Sequence, residues 1–280
     1  MKRQFVAIAI AAAVAITATP VIAQSKGDES NEFAKLPWIT APESGRIADK
    51  ATIKLDEKTL FLGETGTSKF LELMGNPARP GHFTIAPKDQ TWFAVFSFDA
   101  DGYVKDDEKI DADELLKSLK SSDEPANEER KRLGLEALHT DGWSVPPHYD
   151  PTTKRLEWGV RLRTEGGAQI VNYTSRILGR SGVMNATLVS QPETLDADRA
   201  SFAKALTGFD YQSGERYSEW RAGDKVAAYG LGALVLGGAA AAAAKTGLGK
   251  GLFKAIAVGA VALFAGIGAF FKRAFGRKKD

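Results

Sequence analysis

The stretch 226–280 constrains this chain more than any other. It reads VAAYGLGALVLGGAAAAAA, then KTGLGKGLFK, then AIAVGAVALFAGIGAFF, then KRAFGRKKD. Two uncharged runs, 226–244 and 255–271, are each followed by basic residues. At ~1.5 Å of rise per helical residue, each approaches the length that crosses a bilayer core. The expectation is a hydrophobic anchor over 226–271, formed by one transmembrane helix or a helical hairpin, with a basic tail over 272–280.

The two runs differ in apolar weight. The first is mostly Ala and Gly, whereas the second carries Ile256, Val258, Leu263, Phe264, Phe270 and Phe271. Leu, Ile and Phe each favour insertion by roughly 0.3–0.6 kcal/mol. A hairpin would leave Lys272 and Arg273 outside, against the positive-inside tendency. A single crossing by the second run places that tail in the cytoplasm and is preferred. The first run would then be interfacial, re-entrant or packed on a neighbour. Small residues recur at four-residue spacing: Ala233 with Gly237, Gly247 with Gly251, Ala255 with Gly259, and Ala262 with Gly266. Such pairs allow close helix approach, hence packing on a partner or self-association.

Residues 1–23 read MKRQFVAIAIAAAVAITATPVIA, with Lys2 and Arg3, an apolar run and a small-residue end at Ala23. This has the form of a cleaved signal peptide. It implies an exported domain on the periplasmic side of a bacterial inner membrane. From Gln24 to Lys225 there are 34 acidic and 27 basic residues, a net charge of about −7, while the basic excess lies near the apolar runs. An acidic domain argues against nucleic acid as a partner, and a basic tail suits membrane lipid. Cysteine is absent, which excludes disulfides, thiol nucleophiles and thiolate metal sites.

Between signal and anchor, 24–45 reads as a flexible, then extended entry segment, and 46–225 as the exported domain. ATIKL and TLFL are short strands turned at Asp56–Glu57, and SKFLELM is a short helix closed by Gly75–Asn76–Pro77. GHFTIA and TWFAVFSF are strands, the second aromatic on both faces and so interior. The region 111–138 is helical, capped by Asp111 and broken near Ser121, Ser122 and Pro125, with Leu133, Leu135 and Leu138 on its second part.

GWSVPPHYD is an extended, proline-stiffened segment. LEWGVRLR alternates Leu156, Trp158, Val160 and Leu162 on one face. AQIVNYTSRIL and VMNATLVS follow across Gly-rich turns, which makes an antiparallel meander, and LDADRASFAKAL is an amphipathic helix. The fold class is α+β: an antiparallel sheet with segregated helices.

Few residues carry a chemical signal. His148 and Asp150 follow Pro146–Pro147 and could pair as base and orienter, but neighbours in an extended segment point apart, so a structural turn is the plainer reading. Asp99, Asp101, Asp106, Asp107 and Glu108 do not fit a calcium loop, since Val104 and Ile110 hold its Gly and Glu places; a hairpin and a solvated acidic face are expected. Lys245–Thr246 lacks the glycines of a phosphate loop. Asn172, Tyr173, Arg176 and Arg180 surround a Gly turn and could contact an anionic group or a partner; ordinary salt bridges are the plainer reading. Trp143 and Trp158 read as core aromatics. No catalytic, metal or cofactor motif is present, and no cofactor is expected.

The phrases GWSVPPHYD, NYTSRILGRSGVMNATLV and WRAGDKVAAYGLGALVLGGAAAAAAKTG resemble a bacterial family of uncharacterised membrane-anchored proteins, a domain of unknown function. The resemblance covers most of the mature chain. It implies an exported domain with a C-terminal anchor and brings no activity. The meander followed by a helix is also similar to the PsbP-like α+β folds, which gives no function. The expected role is a non-catalytic envelope interaction or scaffold module docking an envelope protein. The alternatives are a ligand- or lipid-sensing module at the Arg176/Arg180 turn and a periplasmic hydrolase around His148.

Overall fold

The computed structural model describes residues 32–132 and 134–238. The signal segment 1–23, residues 239–244, the second apolar run, the basic tail and the small-residue pairs from Gly247 onward lie outside the described residues.

A seven-stranded antiparallel sheet organises the molecule. Its strands are β3 (Thr59–Leu62), β4 (His82–Pro87), β5 (Phe93–Asp99), β6 (Leu138–Asp150), β7 (Arg155–Thr164), β8 (Gln169–Leu178) and β9 (Val183–Ser190), in the order β3-β4-β5-β9-β8-β7-β6. Two consecutive meanders, β3-β4-β5 and β6-β7-β8-β9, join where β5 pairs antiparallel with β9. The expected meander is therefore present, with β7, β8 and β9 within a residue or so of the segments LEWGVRLR, AQIVNYTSRIL and VMNATLVS. β5 is interior, between β4 and β9.

A smaller sheet, β1 (Ser44–Ile47), β2 (Ala51–Lys54) and β10 (Phe209–Tyr211), has the order β1-β2-β10. The expected pairing of ATIKL with TLFL across Asp56–Glu57 does not form. β2 pairs with β1 and β10, while β3 pairs with β4. Each four-residue strand has too few side chains to select its own partner, so distant strands decide it.

Helix α1 (Glu64–Leu73), α2 (Ala112–Ser121), α3 (Asp123–Arg132), α4 (Leu195–Ala205) and α5 (Leu231–Val235) pack on this frame. Asp111 caps α2, accepting from the backbone N–H of Asp113 and Glu114 at 3.1 and 3.0 Å. α3 stops at Arg132, and Leu138 opens β6 rather than extending a helix as expected. The proline-bearing β6 is the edge strand and shifts register against β7 three times between Thr140 and His148. Prolines and bulges belong at edges, where a missing ladder bond costs least.

Strand alternation sends successive residues to opposite faces and builds two cores. Phe93 and Val95 join Leu156, Trp158, Phe70 and Leu234 on one side. Ala94 and Phe96 join Val171, Leu188, Phe202 and Ile53 on the other. Helices consequently cover both faces: α1, α2 and α5 one, α4 with the small sheet the other.

The packed unit also begins earlier and ends later than 46–225. Phe33 and Leu36 are buried, Phe33 meets Phe70 edge-on at 5.6 Å, and Trp38 Nε1 donates to the Phe33 carbonyl at 2.9 Å. The described part of the entry segment is thus pinned rather than loose.

The start of the first apolar run folds back on the domain. Val226 bridges Tyr103, and Leu231, Leu234 and Val235 are buried. α5 ends after five residues: Gly238 N–H donates to Ala233 O at 2.7 Å and Gly237 N–H to Leu234 O at 3.3 Å, with Gly237 at φ 112°. This is a Schellman closure, in which glycine supplies the left-handed residue. Ala233 and Gly237 therefore do not share a helix face. Among the described residues no helix is long and apolar enough to cross a membrane.

Candidate functional site

The face of the seven-stranded sheet that carries Val95 and Trp158 is not uniformly apolar. β5 adds Ser97 and Asp99, β8 adds Asn172, Thr174 and Arg176, and β9 adds Asn185 and Thr187. Alternation puts all of them on the same face, and the register brings Arg176 opposite Asn185 and Ser97 opposite Asn185 on the other side. The helices cannot close over this polar floor as they do over Phe93 and Leu156. A cavity of about 550 Å³ remains. That is within the usual size of a small-molecule site, roughly 300–1,000 Å³.

The cavity has two kinds of wall. At its apolar end β7 supplies Trp158, Val160 and Leu162, α2 supplies Leu119, and the end of α5 supplies Val235 and Leu236. At its polar end stands the floor just described, with the loop Arg79-Pro80-Gly81 and His82 at the rim. α1 holds that loop: Ser68 Oγ donates to the Arg79 carbonyl at 3.1 Å, and Gly81 N–H donates to Glu64 at 2.8 Å. Over the roof, Asp123 ties the start of α3 to β6, accepting from Thr140 N–H and Oγ1 at 2.7 and 2.8 Å.

Arg176 is the centre of the floor. Its Nη1 donates to Asp99 at 2.9 Å and also to the Asn185 side chain, and its guanidinium carbon lies 6.0 Å from the Trp158 ring centroid. Asn185 Nδ2 completes a small ring by donating to Asp99 at 2.8 Å. The Thr174 and Thr187 hydroxyls are 3.2 Å apart. Arg176 Nε and Asn172 Oδ1 are buried without a hydrogen-bond partner. An unmet buried polar group costs ~1–3 kcal/mol, so both are atoms that an added polar group would stabilise. Burial holds His82 below its ordinary pKa, and its Nδ1 meets the Pro80 carbonyl at 2.8 Å rather than a nucleophile.

The four residues expected around the Gly turn are divided by the structure. Asn172 and Arg176 line the cavity. Tyr173 points to the opposite face, where its hydroxyl donates to Glu157 at 3.0 Å and the Arg199 guanidinium carbon lies 4.6 Å from its ring centroid. Burial, then the Glu157 charge, push the Tyr173 pKa up to about 12. Arg180 sits in the β8–β9 turn and forms a two-pronged pair with Asp224, at 2.7 and 2.8 Å.

The expected acidic face is also corrected. Asp106 accepts from Tyr149 and Lys154 at 2.7 and 2.8 Å, Asp101 accepts from Tyr229, and Glu108 accepts from Gly232 N–H at 2.9 Å. Three of these acids therefore fasten other segments. Asp101 and Glu108 hold the segment leading into α5.

His148 and Asp150 do not face each other. His148 Nε2 is 3.6 Å from Glu157, while Asp150 caps the following turn through Thr152 N–H and Thr153 Oγ1, both at 2.8 Å. Trp143 is structural, donating to the Ala112 carbonyl at 3.0 Å; Trp158 is both core and cavity wall. Among the described residues, no group of three or more His, Asp or Glu could hold a metal ion.

Sequence reasoning found Asn172 and Arg176 but not their companions. The available signal was polar residues at every second position of strands that are otherwise apolar: Ser97 and Asp99 in β5, Asn172, Thr174 and Arg176 in β8, and Asn185 and Thr187 in β9. On a face that packs against helices, such a row marks a cavity or a buried network.

A family model described as "Protein of unknown function (DUF2167)" matches residues 40–268. No curated protein matches the chain at a significant level. Among solved structures, the chain is similar to cyanobacterial PsbP (CyanoP) from Synechocystis sp. PCC 6803, in a solution structure, at 9% identity and TM-score 0.35. That similarity covers 62% of this chain and 91% of the other.

Proposed function

We propose that this chain, which belongs to the DUF2167 family of proteins of unknown function, is a non-catalytic binding module held at a bacterial membrane. Its business end is the cavity between the seven-stranded sheet and helices α2, α3 and α5. The observation that carries this reading is the cavity's construction: a hydrogen-bonded polar floor around Arg176 beneath apolar walls. Convergent polar groups inside an apolar pocket are the usual form of a small-molecule site. His82 Nδ1 faces the Pro80 carbonyl and His148 Nδ1 the Pro146 carbonyl.

The test uses the full chain in phosphatidylcholine nanodiscs, titrated with the neutral dye N-phenyl-1-naphthylamine against lipid-only discs. Saturable capture is expected in the wild type, with loss in Leu119→Trp, which fills the apolar end from a helix surface. Capture unchanged in a folded Leu119→Trp protein would place the dye elsewhere and remove the cavity from the reading.

The membrane attachment is proposed as a single crossing by residues 255–271 with the basic tail in the cytoplasm. Its support is the packing of Leu231, Leu234 and Val235 into the domain, which withdraws 226–238 from any spanning helix. A reporter fused after Asp280 should be active only in the cytoplasm. Periplasmic activity would mean two crossings.

A further inference from the structure

The formal charges on the cavity lining cancel. Arg176 is spent on Asp99, at 2.9 Å. Arg79 and Asp123 are the other two charged side chains of the lining, and Asp123 keeps its charge while Thr140 donates to it. Arg79 also has an interaction of its own. His82 is neutral at pH 7, since burial lowers its pKa. Glu64, in the first turn of α1, accepts from Gly81 N–H at the rim. An acid at that end of a helix is offset by the helix dipole. A charged head of either sign would therefore leave water without gaining a free counter-charge, which is the unfavourable way to bury an ion.

The hydrogen-bonding capacity of the floor does not cancel. Arg176 Nε is a buried donor and Asn172 Oδ1 a buried acceptor, each without a partner. They belong to the same face of β8, four positions apart. Between them on the strand, the Thr174 hydroxyl meets that of Thr187 at 3.2 Å. Beyond that one bond, a pair of hydroxyls has a donor and further lone pairs to offer. A carboxylate only accepts and an ammonium only donates, so each leaves one of the two unmet atoms of β8 as it is. A hydroxyl or a primary amide has both capacities. The remaining wall, Trp158, Val160 and Leu162 with Leu119, Val235 and Leu236, calls for an apolar group.

We propose that the cavity binds an uncharged amphiphile, an apolar chain ending in a hydroxyl or primary amide; this deepens the binding reading and rests on it. The head lies over Asn172, Thr174 and Arg176, and the chain lies against Trp158, Val160 and Leu162. An alcohol dissolved in the surrounding water and a neutral lipid drawn from a bilayer share this chemistry.

The probes are octanol, octyl methyl ether, octanoate and octylammonium, titrated calorimetrically into the full chain in phosphatidylcholine nanodiscs with lipid-only discs subtracted. Octanol should bind at least about tenfold more tightly than either ion. It should bind about fivefold more tightly than the ether, which accepts but cannot donate. Leu119→Trp should abolish octanol binding. Asn172→Leu removes the unmet acceptor and should bring octanol down to the ether. Asp99→Asn strips Arg176 of its counter-charge and should put octanoate ahead of octanol.

Either ion bound as tightly as octanol by the wild type overturns the proposal, and so does octanol binding unchanged in folded Leu119→Trp. An octanol–ether gap that persists in folded Asn172→Leu overturns the placing of the head. Octanoate still weaker than octanol in folded Asp99→Asn overturns charge cancellation as the source of selectivity. If the variants do not fold, the order of the four probes on the wild type decides. If the neutral dye is still captured, the binding reading survives any of these results. Failure of all four probes and the dye overturns both. Oleyl alcohol pre-mixed into the discs, competing with octanol, identifies the bilayer as a source; octanol binding untouched by it identifies the dissolved one.

Discussion

Arg180 and Asp224 show how single side chains secure the C-terminal segment. The pair is bidentate, and Arg180 N–H also donates to the Glu215 carbonyl at 2.8 Å. The Arg180 hydrogen bond holds the Asp224 carboxyl at about 2, below its ordinary 3.8. An acid whose folded pKa is depressed stabilises the fold above its unfolded value, and that contribution is lost as pH falls through the folded one. Hydrogen-exchange protection of residues 221–238 should therefore decline between about pH 4 and about pH 2. In Asp224→Asn it should be low at neutral pH and flatter across that window. Equal pH profiles in the two proteins would show that the pair does not hold the segment.

At the scale of elements, the β8–β9 turn and α5 are the critical joints. Gly182 passes so close to β5 that an added Cβ would stand 2.1 Å from the Asp99 carbonyl oxygen. Gly182→Ala must push β5 and β9 apart, and overpacking of this kind costs ~1–3 kcal/mol. A lowered melting temperature is expected. A melting temperature equal to wild type would refute the close approach. Leu234 is fully buried in α5, and truncation of such a side chain costs ~2–5 kcal/mol. Urea unfolding of Leu234→Ala should register that loss. Little change would mean that α5 opens independently of the domain.

For the whole molecule, the segment leading into α5 is itself a surface. Trp220, 42% exposed, and Val226, 40% exposed, are the exposed large hydrophobics among the described residues. Trp220 rests on Tyr103, which stacks on Tyr217 at 4.3 Å, and the exposed Arg221 and Lys225 flank it. Aromatic rings beside cationic side chains suit the headgroup region of a bilayer. In nanodiscs containing brominated phosphatidylcholine, tryptophan emission of the full chain should be quenched, and Trp220→Phe should remove most of that quenching. Quenching that persists in Trp220→Phe would assign the contact to another tryptophan.

Much of the fold was legible by itself. Alternation in LEWGVRLR, and the Gly-rich turns that set off AQIVNYTSRIL and VMNATLVS, announced β7 to β9 nearly to the residue. Asp111 announced the start of α2. These features depend on neighbours within a few positions, which the sequence displays directly. Only the tertiary structure decided that β2 and β3 belong to different sheets, that β5 joins the two meanders, and that the loop 79–82 shares one cavity with Ser97, Asp99, Asn172, Thr174, Arg176, Asn185 and Thr187. A cavity is space left between elements distant in the chain, so no local pattern encodes its existence. The fate of 226–238 shows the same limit. Apolar side chains gain equally from lipid and from a protein core, because the hydrophobic effect is non-directional. Directional bonds settled the matter, from Tyr229 to Asp101 and from Gly232 N–H to Glu108, each reaching back across more than a hundred residues.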